Sequence, residues 1–155
     1  MKQTLKTEKI LSAYRIISTA KYSKLDDADK VKVWKIAKAM KPVATQFDED
    51  SKDAAEKLKP SEDFGERLQK AQEYERMLQA NEDMSKSPMG AAEYNAFLKE
   101  FQNYNKLVSD AVKEFADKEV ELVFEGISED AFGKLMASNE WTMEQVIEIG
   151  TLIVE

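Results

Sequence analysis

The chain has 155 residues, of which 43% are hydrophobic and 34% are charged, and its formal net charge is -7. It contains no cysteine and no histidine, which excludes disulfides, thiolate nucleophiles, imidazole catalysis and zinc sites with sulfur or imidazole ligands. Only five glycines and three prolines are present, which favours long helices over a fold with many turns. We therefore expect one mainly α-helical domain spanning residues 1–155.

The N-terminal part predicts a short strand followed by a helix. Residues 2–6 are compatible with a strand, and Thr7 is in position to cap a helix over residues 8–20, whose apolar face includes Ile10 and Ile17. The N-terminus lacks the continuous apolar run of a secretory signal, and no segment approaches the ~20 apolar residues of a membrane span. We therefore expect a cytoplasmic protein without membrane contact.

A second helix is predicted over residues 28–58, with Asp27 as its cap. Its apolar positions mostly recur in steps of three and four residues: Val33, Ile36, Met40, Val43, Phe47, Ala54 and Leu58. Pro42 lies inside this pattern. Because proline removes one helical hydrogen bond and crowds the preceding turn, we expect a kink near residues 38–42, with a break into two helices as the alternative.

The polar side of the second helix carries the first candidate interaction surface, which consists of Trp34, Lys35, Lys38 and Lys41. A tryptophan among lysines can anchor a protein partner or stack on a nucleic-acid base. The interpretation that we favour for Trp34 is packing against the first helix. The acidic run over residues 48–53 does not match the ligand spacing of a calcium loop, so we predict a solvated helical face and no metal site.

The middle of the chain is predicted to be an insertion over residues 60–90, consisting of one helix and a loop. Asp63 and Glu66 form the pattern of a capping box that opens a helix ending near residue 80. Residues 81–90 are polar and contain proline and glycine, which predicts a mobile loop.

The most regular pattern of the chain lies in a helix predicted over residues 91–119. Apolar residues recur there at spacings of three and four: Tyr94, Phe97, Phe101, Tyr104, Val108, Ala111 and Phe115. A narrow stripe of this kind is shielded from water only along another helix, and the second helix has a matching length. We therefore expect a long antiparallel helical hairpin or coiled-coil-like bundle, and we favour core packing over a ligand groove for these rings.

The C-terminal part predicts a strand and then a small helical subdomain over residues 127–155. Val120, Leu122 and Phe124 alternate with polar residues, which predicts a strand that can pair with residues 2–6 in a two-stranded β element. The first small helix, to residue 137, has a cap at Ser128.

The last helix follows a predicted capping box made by Thr142 and Gln145. It is apolar on most of its sides, so its side chains belong either to the core or to an interface with a second subunit. Four of them complete the candidate interaction surface: Val146, Ile149, Leu152 and Ile153.

No pattern in the sequence marks a reaction centre. The five glycines match neither a P-loop nor a dinucleotide fingerprint. Paired carboxylates are chemically available for acid–base work, but a narrow hairpin rarely supplies a cleft between two of them. We therefore predict a non-enzymatic protein with no catalytic residue and no cofactor, and the sequence identifies no small-molecule substrate.

The charge is distributed unevenly along the chain. Residues 1–47 carry 11 lysines or arginines and 4 acidic residues, whereas residues 48–155 carry 12 and 26. Phosphate contacts dominate nucleic-acid affinity, so an acidic chain is disfavoured as a general DNA binder unless its basic part forms a separate patch. The opposite charges can also pair within the molecule, each exposed pair contributing about 0 to 1 kcal/mol.

Residues 12–17, 30–40 and 120–132 combine, in this order, a helix with Ala13 and Tyr14, a basic helix, and a strand with acidic C-terminal helices. In this order of elements the chain resembles small helical tailed-phage or prophage proteins of unknown function. The resemblance spans both ends of the chain and is interrupted by residues 60–90. It implies a virion, tail-assembly or accessory role, located in the host cytoplasm or in the virion, and it transfers no catalytic residue.

Three functions follow from these observations. The first is a non-enzymatic protein–protein interaction or assembly protein with a protein partner or as a homo-oligomer, because two long seams and an apolar C-terminus need to be covered. The alternative is an acidic inhibitor that mimics nucleic acid and occupies the basic groove of a nuclease or DNA-binding protein. The second alternative is nucleic-acid binding through the lysine-rich second helix and Trp34.

Overall fold

The computed structural model describes all residues from 1 to 155, and they form six α-helices and a two-stranded sheet. This confirms the mainly helical fold class with a small β element. The elements in chain order are β1 (Lys2–Lys6), α1 (Thr7–Ser18), α2 (Asp27–Lys57), α3 (Phe64–Gln79), α4 (Ala91–Asp117), β2 (Glu119–Val123), α5 (Glu129–Ser138) and α6 (Met143–Ile153). A short 3-10 turn lies between α3 and α4 at Met84–Lys86. None of the helices combines the length and apolarity that a bilayer crossing requires.

The chain divides into two compact units. Unit 1 comprises Met1–Asp50 and Glu114–Glu155, and unit 2 comprises Ser51–Lys113. The sequence predicts one domain with an insertion over residues 60–90 and a C-terminal subdomain over residues 127–155. In the structure, the middle unit is longer at both ends, and α5 and α6 share one hydrophobic core with α1 and α2. Two helices of about ten residues bury too little apolar surface to form a core alone, so they complete that of unit 1.

The sheet of unit 1 confirms the predicted strand pair. β1 and β2 are antiparallel, with Lys2 opposite Val123 and Lys6 opposite Glu119. Beyond the register, the N-terminal amine donates a 2.6 Å hydrogen bond to the Phe124 carbonyl. Below the sheet lies the core of unit 1, whose largest fully buried side chains are Ile10, Ile36, Met40, Ile127, Leu135, Ile149 and Ile153.

The helix caps of unit 1 agree with the sequence only in part. Ser128 caps α5, and Thr142 with Gln145 forms the predicted capping box of α6. Thr7 does not cap α1, because its buried hydroxyl donates to the carbonyl of Lys118 at 2.8 Å. The backbone N–H of Thr7 donates to the same oxygen, so the residue extends the sheet ladder.

The structure decides two predictions for α2, the identity of its cap and the possible break at Pro42. The cap is Asp26 and not Asp27, since Oδ1 of Asp26 accepts the N–H of Asp29 at 2.9 Å. The helix is continuous through Pro42, which rules out the alternative of a break into two helices. Every residue of its predicted apolar seam is buried or half-buried.

Unit 2 is organised by the aromatic stripe of α4. Phe64 at the start of α3 lies with its ring centroid 5.5 Å from that of Phe97 and 4.8 Å from that of Tyr104, and Tyr74 stacks on Tyr94 at 4.3 Å. Early residues of α3 therefore contact later residues of α4, so the two helices are antiparallel. The segment predicted as an insertion thus supplies the partner for these rings. The spacing of a stripe specifies an apolar face but not which helix covers it.

Polar contacts hold the same hairpin together. Asp63 forms no cap hydrogen bond, which contradicts the predicted capping box, and its carboxylate instead accepts from Ser61 at 2.6 Å. Arg67 donates two hydrogen bonds, of 2.7 and 2.8 Å, to the carboxylate of Glu100. These bonds lower the pKa of Glu100. The loop after α3 is anchored by Met89, which is buried.

Candidate binding groove

Unit 1 contains a groove of about 850 Å³ between α1 and α2. We call it the Trp34 groove. It is lined by Tyr14, Ser18, Trp34, Ala37, Lys38, Lys41, Pro42, Thr45 and Gln46. This lining contains two lysines and no acidic side chain. The groove is therefore basic and partly aromatic, within a chain that is acidic overall.

The groove follows from the helical period of α2. Val33, Ile36 and Met40 are buried in the core, which fixes the rotation of the helix about its axis. Trp34 and Lys38 are four residues apart, so they lie one above the other on a side that this rotation turns away from the core. The side chains that line the groove are thus placed by the burial of the seam.

Trp34 is the most distinctive residue of the groove. Its side chain is 57% exposed, and Nζ of Lys38 lies 4.8 Å from the centroid of its ring, within the range of a cation–π contact. The interpretation favoured from the sequence, packing against the first helix, allows a partly exposed ring, and 57% of the side chain is exposed. Tyr14 and Ser18 of α1 line the same groove but leave most of the ring uncovered. A large aromatic ring that stays in contact with water provides an anchoring point for a partner.

Pro42 also lines the groove and leaves one backbone carbonyl of α2 without its helical hydrogen bond. Because proline has no N–H, it cannot donate to the carbonyl of Lys38, which is four residues earlier in the helix. The hydroxyl of Thr45 and the amide of Gln46 lie farther along the same lining. The groove therefore combines an apolar ring with several hydrogen-bonding groups.

The lysines predicted from the sequence do not all belong to this groove. Lys38 and Lys41 line it and form no salt bridge, whereas Lys35 lies outside its lining. The neighbouring Lys32 pairs with Glu125 at 3.0 Å, and this hydrogen bond, with a smaller charge interaction from Lys35, lowers the pKa of Glu125.

The C-terminal part of the predicted interaction surface lies in the core. Ile149, Leu152 and Ile153 are buried, and Val146 is half-buried against the same cluster. They are covered by this chain itself and are not an accessible surface, because α6 closes the core of unit 1. The exposed apolar residues of α6 were not among those predicted. The helix is apolar on nearly all sides, so its sequence carries no signal for which side faces water.

A second groove of about 610 Å³ lies between β1 and α6 in unit 1. Its lining includes Leu5 and Leu152 on the apolar side and Lys9, Glu144 and Glu148 on the charged side. A smaller cavity of about 230 Å³ shares Pro42 and Gln46 with the Trp34 groove, and its apolar lining includes Val43, Phe47 and Phe115.

Neither a carboxylate nor an imidazole lines the Trp34 groove. Its titratable side chains are Tyr14, Lys38 and Lys41, and its other hydroxyl groups belong to Ser18 and Thr45. Scans of this chain against protein-family models, curated proteins and solved structures each found no match.

Proposed function

We propose that this protein is a non-enzymatic interaction or assembly protein whose Trp34 groove binds an acidic, amphipathic segment of a protein partner. The single observation that supports this proposal is the exposure of Trp34 beside two lysines that have no acidic partner in the molecule. Such a surface offers a ring for an apolar side chain and two free charges for carboxylates. The resemblance to small phage proteins is compatible with an assembly role.

Nucleic-acid binding through Trp34 is the second candidate, because a base can stack on the exposed ring. The number of charges argues against it. Phosphate contacts supply most of the affinity for nucleic acid, and the lining of the groove contains only Lys38 and Lys41.

Mimicry of nucleic acid by the acidic part is less well supported. Ten acidic side chains of residues 48–155 are already in salt bridges. Their cationic partners reduce, over part of this surface, the negative field that a basic groove would need to recognise.

The proposal is tested by the fluorescence of Trp34 in a Trp141→Phe background, which leaves one tryptophan. The probes are a short amphipathic helical peptide with glutamates on its polar face, the same peptide with lysines, and oligothymidylate. We expect the glutamate peptide alone to shift the emission to shorter wavelength, since it covers the ring. Replacing Lys38 and Lys41 by glutamine is expected to weaken binding about tenfold. Each exposed ion pair that is lost contributes about 0.5 to 1 kcal/mol to the binding free energy.

Two results would contradict the proposal. Equal binding of both peptides would show that the lysines do not select the partner. Binding of oligothymidylate without binding of the glutamate peptide would favour the nucleic-acid alternative.

A further inference from the structure

A second exposed patch on unit 1 is not explained by the Trp34 groove. It lies on the outer side of α6, and we call it the α6 patch; it consists of Met143, Glu144, Ile147, Glu148 and Thr151. Met143 is 72% exposed and Ile147 is 62% exposed. The two side chains are one helical turn apart and form an apolar strip in contact with water. Exposed apolar strips rimmed by charge are typical of protein interaction sites.

The charges of the α6 patch are opposite to those of the Trp34 groove. Glu144 and Glu148 flank Ile147 and take part in none of the salt bridges of the molecule. Lys38 and Lys41 flank the groove and are equally free. Four of the five patch residues line the groove between β1 and α6, which also contains Lys9, so this surface carries two carboxylates and one ammonium group. The Trp34 groove carries two lysines and no carboxylate.

The spacing of the charges also matches. Lys38 and Lys41 are separated by about 4.5 Å along the axis of α2, and Glu144 and Glu148 by about 6 Å along the axis of α6. The flexible lysine side chains can absorb this difference. With both charge pairs in contact, Ile147 lies along the helix axis between the two carboxylates and faces the part of the groove between Lys38 and Lys41. Trp34 lies about 6 Å farther along α2 in the same groove.

We propose that the Trp34 groove of one copy of this chain binds the α6 patch of a second copy. No residue belongs to both surfaces, so one copy can use its groove and its patch at the same time. A contact between two different surfaces repeats from copy to copy and builds a chain or a ring. This inference rests on the proposed function and names the acidic, amphipathic segment that the groove binds. A contact between one groove and one helix face is at the small end of protein interfaces, so the association depends on concentration.

The test is the molar mass of the protein by size-exclusion chromatography with light scattering, from micromolar to millimolar concentration. We expect the mass of the unaltered chain to rise above the 17.7 kDa monomer as concentration increases. Trp34→Ala removes the groove anchor and Ile147→Ser removes the patch anchor, and each variant alone stays monomeric. Truncation of a central anchor weakens an interface at least ~30-fold. Both side chains are more than half exposed, so the fold is retained, which circular dichroism verifies.

Mixing the two variants gives the decisive result. An equimolar mixture retains one intact patch, on Trp34→Ala, and one intact groove, on Ile147→Ser, so we expect a species of twice the monomer mass. Raising the salt concentration from about 0.1 M to about 1 M shortens the screening length from about 10 Å to about 3 Å and is expected to reduce the association. Val123→Thr is the control, because Val123 is 65% exposed on β2 and would take part in a strand-to-strand contact.

The inference is overturned if the unaltered chain is monomeric throughout, if either single variant still associates, or if the mixture does not form a dimer. Loss of association in Val123→Thr would assign the contact to the sheet and overturn it as well. A monomeric chain whose Trp34 emission still responds to the glutamate peptide would leave the proposed function standing. A chain that fails both measurements would contradict both proposals.

Discussion

Phe64→Ala is expected to destabilise unit 2 by about 4 kcal/mol. Phe64 is 2% exposed, and its ring lies within 6.2 Å, centroid to centroid, of the rings of Phe97, Phe101 and Tyr104. Removing a buried phenylalanine side chain costs about 3 to 5 kcal/mol, through lost burial and the cavity left behind. Three aromatic neighbours, each contributing about 0.5 to 1.5 kcal/mol beyond burial, place this site in the upper part of that range.

Two further variants separate the causes of this loss. Phe64→Leu retains most of the apolar volume and loses the three ring contacts, so we expect a cost of about 1.5 to 3 kcal/mol. Leu78→Ala is the matched control on α3, because Leu78 is 54% exposed, and its expected effect is below about 0.5 kcal/mol.

The assay must report on unit 2, and tryptophan fluorescence does not, since Trp34 and Trp141 both belong to unit 1. Native-state hydrogen exchange of the α3 and α4 amides measures the opening free energy of the hairpin directly. The reasoning is refuted if Phe64→Ala changes the protection of these amides by no more than Leu78→Ala does.

Two other predictions concern a crowded glycine and an ion pair. Gly126→Ala is expected to cost about 2 to 3 kcal/mol in urea unfolding, because its Cβ would lie 2.8 Å from the carbonyl oxygen of Ile153. Gly133→Ala in α5 meets nothing within 4 Å and is expected to stabilise by about 0.5 to 1 kcal/mol, so equal effects of the two changes would contradict the crowding argument. Glu100→Gln is expected to cost about 1 to 2 kcal/mol at neutral pH. Arg67 lowers the pKa of Glu100 in the folded state, so this stabilisation is present above the unfolded pKa and is lost as pH falls through the folded pKa. Urea unfolding at neutral and at acid pH measures the difference in the free energy of unfolding between the unaltered chain and Glu100→Gln. A difference that does not change with pH would exclude the ion pair as its source.

The sequence alone was sufficient for the elements that depend on local chemistry. Helical spacing gave the seams of α2 and α4, and alternation gave β2, because each pattern records which side of one element is apolar. The caps at Ser128 and Thr142 were also predictable, since each bonds a backbone group three residues away. Local signals failed where a group distant in sequence binds the side chain, as the backbone carbonyl of Lys118 binds the hydroxyl of Thr7.

The tertiary structure alone decided which faces meet and which remain open. The stripe of α4 predicts that some helix covers it, but only the fold selects Phe64 of α3 as its neighbour. Likewise, the sequence places Trp34 among lysines, and only the position of α1 determines that more than half of the ring stays exposed. Periodicity records how much of an element is apolar, whereas exposure depends on the neighbours that loops and competing contacts bring to it.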